Sequence, residues 1–200
     1  MSYIITISRQ HGSGGREIGS LLAKKLGIPY YDNELIKIAA EQSGFDEKHF
    51  HDFDKSATNS FLYSLVRGVQ YNVQHGSSFQ SFDDYIYMAQ ANAIKKIAEE
   101  GPCVIIGRCA DHVLADNPDL IKIFIYADNE FRVNRVMEHE GLDRKKAEDS
   151  MKKTDKRRQN YYFHHTDVNW GDAKSYNLCV DSGKFGIEKA VNTILEYIKK

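Results

Sequence analysis

The sequence predicts a three-layer α/β/α fold with a central parallel sheet of about five strands. Short apolar runs alternate along the chain with longer stretches in which apolar residues recur at helical spacing. The short runs do not alternate polar with apolar residues, which is typical of strands buried on both faces. Parallel strands joined by right-handed crossover helices account for both observations.

The first of these runs, Tyr3 to Ser8, predicts a central strand. A glycine-rich turn from Gly12 to Gly15 follows it, and helical spacing then continues to a stop at Gly27 and Pro29. The order strand, glycine turn, helix points backbone N–H groups and the positive end of a helix at one place. We therefore predict that the segment from Ile4 to Gly19 binds phosphate.

The remaining elements continue the alternation of strand and helix. Further strands are predicted at Pro29 to Tyr31, Cys103 to Ile106, Leu120 to Tyr126 and Asn177 to Val180. Further helices are predicted from Asn33 toward Gln42 with Asp32 as cap, from Tyr85 to Glu99, from the cap Asp128 to about His139, from Arg144 to Tyr161 and from Ile187 to Ile198.

We expect one domain over residues 1–200, because 200 residues with 42% hydrophobic content can bury a sizeable core. Residues 44–84 mix acidic, histidine and aromatic positions with an amphipathic run and are predicted to form a largely helical insertion.

Charge and composition exclude several classes of partner. The 27 basic and 28 acidic residues leave a net charge of −1, so the chain as a whole does not attract nucleic acid or an anionic membrane. Any phosphate site must be local. We expect a cytoplasmic protein, since no signal sequence and no run of 18 apolar residues is present. Cys103, Cys109 and Cys179 lack paired spacing and are expected to be reduced thiols.

The glycine turn matches the phosphate-loop template G-x-x-x-x-G-K-[ST] only in part. With Gly14 on the second glycine, Arg9 stands at the first glycine, Gly15 at the lysine and Arg16 at the hydroxyl residue. Arg9 or Arg16 could restore the missing charge, because a guanidinium grips phosphate through two hydrogen bonds. The missing hydroxyl leaves Mg²⁺ without its usual protein ligand. The candidate phosphate-binding residues of the loop are Arg9, His11, Gly12, Ser13, Gly14, Gly15 and Arg16.

Two other interpretations of the glycines remain open at this point. They could form only a tight connection between strand and helix. A dinucleotide-binding turn would need G-x-G-x-x-G, which Gly12, Gly14 and Gly15 do not supply.

Arg108 follows the apolar run Cys103 to Ile106 and one glycine. Open α/β sheets bind ligands at the carboxyl ends of their strands, so we expect Arg108 to face the same crevice as the glycine turn. The alternative is a surface arginine in a connecting turn.

A third basic group lies in the long charged helix. Asp155 and Arg158 are three residues apart and share a helical face, so Arg158 could meet a phosphate while Asp155 meets a base or ribose. Arg157 adds charge beside them. Such a run is otherwise a solvated helix face.

Arg132 and Arg135 share a face of the preceding helix and could add charge toward a triphosphate, or else pair with Glu138 or Asp128. The histidines show no convincing metal-site spacing, so no metal site is assigned.

Together these groups resemble the nucleoside monophosphate kinases, and most closely the cytidylate kinase-like branch of the P-loop kinases. In cytidylate kinases the first strand leads into a glycine loop, as in Ile5 to Gly15, and a later strand ends in a glycine–arginine pair, as in Val104 to Arg108. The lid of that family carries an aspartate and an arginine three apart, as Asp155 and Arg158 are. The similarity covers most of the chain except about residues 44–84.

The resemblance implies a P-loop kinase-like fold and ATP-dependent phosphoryl transfer to a nucleoside monophosphate such as CMP or dCMP, or to a related small phosphate acceptor. The loop would hold the phosphates of ATP, which would bind together with Mg²⁺. Arg108 would grip the acceptor, Arg158 would act from a lid at residues 141–172, and Arg16 would be the third catalytic cation. Asp32 and the insertion stand where the family binds its monophosphate.

Two other functions remain open. The missing lysine and hydroxyl are also expected of a nucleotide sensor or regulatory protein that kept the fold and lost turnover. A structural protein that self-associates through residues 44–84 would bind no nucleotide at all. The expected partners are nucleotides, without nucleic acid or membrane, and with the insertion as a candidate surface for homo-oligomers.

Overall fold

Five parallel strands form one sheet in the order β2-β3-β1-β4-β5. In this computed structural model, which describes residues 3–32 and 82–199, the strands are β1 (Ile4–Arg9), β2 (Tyr30–Tyr31), β3 (Cys103–Ile106), β4 (Leu120–Tyr126) and β5 (Leu178–Asp181). The sheet, its strand number and its parallel pairing confirm the predicted α/β/α class.

Helices connect the strands. Their bounds are α1 (Gly15–Leu26), α2 (Phe82–Glu100), α3 (Ala110–Val113), α4 (Asn129–Glu140), α5 (Arg144–Thr166), α6 (Ser182–Phe185) and α7 (Ile187–Ile198), with a 3₁₀ turn at Ala173–Ser175. The predicted helix from Asn33 toward Gln42 and residues 44–81 of the predicted insertion lie outside the described residues. None of the described helices is long and apolar enough to cross a membrane.

The chain divides into two compact units. The first consists of Met1–Asp32 and Ile97–Lys200 and contains the whole sheet. The second is Asn33–Lys96, of which the structure describes the first part of α2.

The core of the first unit explains why β1 occupies the centre of the sheet. β1 pairs with β3 on one side and β4 on the other, and Ile5 and Ile7 are fully buried. One face of the sheet is covered by α1 and α7, through Ile18, Leu22 and Ile194. A strand with neighbours on both sides carries apolar residues at consecutive positions, as the sequence predicted.

The sequence placed most helix ends correctly, because the caps are local signals. Asp128 accepts a hydrogen bond from the N–H of Phe131, as predicted, and so begins α4. The predicted end of α5 at Tyr161 is wrong, since the helix continues to Thr166 and is capped by Asp167 at φ 55°. No glycine or proline interrupts the chain before Gly171, and Tyr162 and Thr166 are buried, which favours the longer helix.

Candidate functional site: a glycine loop surrounded by arginines

The loop between β1 and α1 contains two glycines in a left-handed conformation. Gly12 has φ 79° and Gly14 has φ 76°. A Cβ atom on Gly12 would lie 2.7 Å from the backbone oxygen of Arg132, and one on Gly14 would lie 2.4 Å from Cδ1 of Ile187. Both positions therefore require glycine for conformation and for space.

Hydrogen bonds from neighbouring strands hold the loop in place. Gln10 donates its N–H to the carbonyl of Ile125 (3.0 Å), and its side-chain oxygen accepts the N–H of Ala127 (3.2 Å). The buried hydroxyl of Ser182 lies 2.6 Å from the carbonyl oxygen of Ser13. Ser182 was not predicted, because no pattern in the sequence links it to the loop.

The loop contains backbone donors without an acceptor among the described residues. The N–H groups of Gly12, Gly14 and Gly15 donate to no acceptor among the described residues. Gly15 is also the first residue of the 12-residue helix α1, whose positive end lies there. Free N–H groups at the positive end of a helix can stabilise an anion, and phosphate binding by this segment stays a prediction.

Arg9 and Arg16 flank the loop and approach the same carboxylate. Arg16 Nε lies 2.7 Å from Asp32, and an Arg9 nitrogen lies 3.9 Å from it. The Arg9 side chain is 13% exposed, against 58% for Arg16. Burial, together with the charge of Arg158, lowers the pKa of Arg9 to about 9, and Asp32 only partly offsets this.

Arg108 belongs to the same cluster of charges. It stands in a turn where Gly107, Arg108 and Cys109 have φ values of 68°, 60° and 54°. Two consecutive non-glycine residues in this conformation are strained, and such strain is concentrated at functional sites. The charge of Arg108 contributes to lowering the pKa of Arg9, and the adjacent Gly107 lies against the Arg9 guanidinium, so Arg108 lies near Arg9.

Asp155 and Arg158 connect α5 to the loop. Asp155 accepts the backbone N–H of His11 (2.8 Å) and pairs with Arg132 (2.5 Å). Arg158 donates to the carbonyl of Arg9 (2.9 Å). Asp155 thus has partners within the protein, and the predicted contact with a base or ribose would compete with them.

Burial lowers the pKa of Arg158 to about 10, and the charges of Arg16 and Arg157 act in the same direction, while Asp155 opposes them. Arg157 itself is exposed. We define the arginine cluster as Arg9, Arg16, Arg108 and Arg158, whose charges act on one another around the loop.

Arg132 and Arg135 also pair with carboxylates, and the partner of Arg132, Asp155, lies 3.7 Å from Arg158 of the cluster. Arg132 is 6% exposed and donates from Nε to the carbonyl of His11 (2.8 Å) as well as pairing with Asp155. Arg135 pairs with Glu17 at 2.7 Å. Neither forms the predicted alternative pair with Glu138 or Asp128.

The imidazole of His11 does not face the free N–H groups. Its Nε2 lies 2.9 Å from Glu140 at the end of α4. Burial and the charge of Arg158 lower the pKa of His11, and Glu140 partly opposes this. His11 therefore joins the loop to α4, while only its backbone contacts Asp155.

A buried polar network anchors α5 near β1. Tyr162 donates to Asp111 at 2.8 Å, and Tyr176, whose hydroxyl accepts the N–H of Gly171 (3.5 Å), lies near Tyr162 and Ser8. Burial raises the pKa of Asp111 despite the bond from Tyr162. These residues were also not predicted, since only the folded chain brings them together.

The comparison that decides the family is the match to the model of the cytidylate kinase-like family, which extends over residues 4–184. The chain belongs to the cytidylate kinase-like family.

Curated relatives of this family member match along nearly their whole length. It is 25% identical to a cytidylate kinase of Archaeoglobus fulgidus, over 98% of this chain and 94% of the relative. It is also 25% identical to a cytidylate kinase of Methanopyrus kandleri, over 98% of this chain and 96% of the relative.

Solved structures agree on the fold. An uncharacterized protein from Eubacterium ventriosum is 32% identical, with a TM-score of 0.74 over 100% of this chain and 99% of that chain. A shikimate kinase from Bacteroides thetaiotaomicron is 13% identical, with a TM-score of 0.55 over 100% of both chains. The P-loop kinase-like fold and the family expected from the sequence are thus confirmed.

The loop of this family member does not offer the usual protein ligand for Mg²⁺. Position 16 carries an arginine, which is paired with Asp32. The Ser13 hydroxyl donates to a backbone carbonyl, and Glu17 pairs with Arg135. These residues do not fit a metal ion bound directly by the loop.

Proposed function

We propose that this protein transfers the terminal phosphoryl group of ATP to a nucleoside monophosphate of the cytidylate type, or to a related small phosphate acceptor. The observation that carries the proposal is the arginine cluster beside three unused N–H groups of the loop. The names of the curated relatives support the choice of acceptor.

Phosphoryl transfer suits this site because it needs positioning and charge neutralisation rather than a protein nucleophile. The N–H groups of Gly12, Gly14 and Gly15 would hold donor phosphates. Arg108, at the end of β3, would bind the acceptor phosphate. Arg158 would neutralise the oxygens of the group in transfer, and Asp32 would orient Arg16.

The arginines of the cluster lie close enough to lower the pKa of Arg9 and Arg158. A bound polyphosphate would relieve this repulsion, since each anion–guanidinium contact is a charge-assisted hydrogen bond. We propose ATP as the donor, with any divalent ion held by phosphate oxygens and water instead of by the loop.

The test is ADP release by the purified chain with ATP, MgCl₂ and each of CMP, dCMP, UMP, AMP and GMP. We expect turnover with at least one pyrimidine monophosphate and a loss in kcat of at least about 100-fold in Arg158→Ala. Arg144→Ala is the matched control on the same helix, because Arg144 pairs only with the exposed side chains of Glu130 and Glu148 among the described residues. No turnover with any acceptor would reject the proposal.

A second candidate function is nucleotide binding without turnover. The pairing of Arg16 with Asp32, where the template has a hydroxyl ligand for Mg²⁺, favours it. It predicts saturable binding of ATP by calorimetry with no ADP release. Turnover that Arg16→Ala abolishes would exclude this alternative.

A further inference from the structure

Two of the three positions at which the loop departs from the phosphate-loop template, 9 and 15, face each other. Arg9 stands where the template has its first glycine, and Gly15 stands where it has lysine. A Cβ atom on Gly15 would lie 2.5 Å from Cβ and 2.8 Å from Cγ of Arg9. Side chains at positions 9 and 15 therefore exclude one another.

The Arg9 side chain runs from Gly15 toward the end of β3. One of its terminal nitrogens would lie 2.3 Å from a Cβ atom on Gly107. The stem of Arg9 thus lies over Gly15 and its guanidinium over Gly107, and Asp32 lies 3.9 Å from a terminal nitrogen. Its Nε has no hydrogen-bond partner among the described residues.

Arg9 differs from the neighbouring Arg16 and Arg132 in its burial and its pairing. Arg16 is 58% exposed and paired with Asp32 at 2.7 Å, and Arg132 is paired with Asp155. With a pKa of about 9, Arg9 remains cationic at neutral pH. A buried cation with an unused donor is costly for the fold unless an anion is bound.

We propose that the loop has exchanged the roles of positions 9 and 15 relative to the template. In this exchange Arg9 supplies the phosphate-binding cation that the template takes from its lysine, and Gly15 replaces the first glycine of the template. The Arg9 stem fills the space that a side chain at position 15 would need, so position 15 is glycine. Gly107 leaves room for the guanidinium. The loop therefore keeps a cation, but at position 9 instead of position 15. This inference rests on the proposed function, since it requires that the loop bind nucleotide phosphates.

The exchange can be tested with Arg9→Gly, Gly15→Lys and the double variant, which restores the template at both positions. ATP and inorganic pyrophosphate binding are measured by calorimetry, and the thermal unfolding midpoint is measured without ligand. We expect Arg9→Gly to keep its unfolding midpoint and to lose at least about 30-fold in affinity for both ligands. Gly15→Lys alone should lower the midpoint, because its stem meets Arg9. The double variant should regain stability and most of the affinity.

Arg144→Ala serves as the control for loss of one arginine and should bind both ligands as the wild type does. If Arg9→Gly does not fold, Arg9→Gln takes its place in the binding measurement. Wild-type affinity in the Arg9 variant, or a double variant no better than Gly15→Lys, would overturn the exchange while leaving the proposed function intact. A wild-type chain that binds neither ATP nor pyrophosphate would overturn both.

Discussion

Asp155 shows at the scale of one residue how the loop is held. Its carboxylate bonds to the N–H of His11, 144 positions away in the sequence, and to Arg132. The side chains of Asp155 and Arg132 are 15% and 7% exposed, so this is a largely buried ion pair. Removing one partner of such a pair leaves the other charge buried and uncompensated.

Asp155→Ala is therefore expected to lower the free energy of unfolding by about 3 kcal/mol. Asp149→Ala is the matched control, because Asp149 is exposed on the same helix and should change the stability by less than about 0.5 kcal/mol. Urea denaturation followed by circular dichroism gives both values. Equal stabilities of the two variants would contradict the role assigned to Asp155.

The glycines allow a second comparison at this scale. Gly12 and Gly27 both have positive φ, but a Cβ atom on Gly27 would meet nothing within 4 Å. Gly27→Ala should lower the free energy of unfolding by about 1 kcal/mol, because alanine disfavours the positive φ at this position. Gly12→Ala should cost roughly 2–3 kcal/mol, because its Cβ also meets the backbone at Arg132. Similar losses in urea denaturation would show that the loop tolerates a side chain at position 12.

At the scale of elements, α5 is attached to the sheet unit at two levels. Asp155 and Arg158 bond to the loop, and Tyr162 bonds to Asp111 one to two turns further along. Because Asp111 is buried, its ionised form is disfavoured. The attachment of α5 through Tyr162 therefore depends on the protonation of the Asp111 carboxyl group.

This attachment predicts a pH dependence of stability. The pKa of Asp111 is raised in the folded state, so the folded chain binds its proton more tightly than the unfolded chain. Wild-type stability should fall as the pH rises from the ordinary aspartate pKa through this raised value. Asp111→Asn lacks the titration while keeping an oxygen for Tyr162, so its stability relative to wild type should increase over that range.

Urea denaturation between pH 4 and pH 8 measures this difference. The control is Asp116→Asn, at an exposed position shortly after α3, the helix that contains Asp111. Its free energy of unfolding should match that of the wild type at every pH. If the free energies of unfolding of Asp111→Asn and the wild type differ by the same amount at every pH, the prediction is contradicted.

At the scale of the whole molecule, an almost neutral chain concentrates positive charge at one edge of its sheet. The net charge is −1, yet the arginine cluster gathers four guanidinium groups around the loop. The loop also adds the positive end of α1. Anion binding here should stabilise the fold by mass action, since the unfolded chain has no such cluster.

Inorganic pyrophosphate is therefore expected to raise the thermal unfolding midpoint by about 5–10 °C at roughly 100 times its dissociation constant. The physical reason is preferential binding to the folded chain. Sodium chloride at the same ionic strength is the control and should have little effect or lower the midpoint, because salt only screens the charges. An equal increase with both salts would indicate a general ionic effect rather than a site.

Much of the fold was predictable because its signals are local. The apolar runs of β3 and β4 gave their bounds, and Asp128 marked the start of α4. The P-loop kinase-like class followed from the order of these elements. The end of α5 was missed because its last turn is held by the burial of Tyr162 and Thr166, which has no local signal.

The candidate site divides in the same way. The sequence by itself determined the glycine loop, and it brought Arg9, Arg16 and Arg108 forward as candidates, because a turn after a buried strand must lie at the sheet edge. Arg158 came forward through its helical spacing from Asp155 and through the family resemblance. Only the tertiary structure decided which carboxylate each arginine meets, and that Arg9 occupies the space above Gly15. The pair of Arg132 with Asp155 joins α4 to α5 and depends on how these helices pack, and the contact of Arg9 with Gly15 depends on the folded path of the loop, so neither follows from a local pattern.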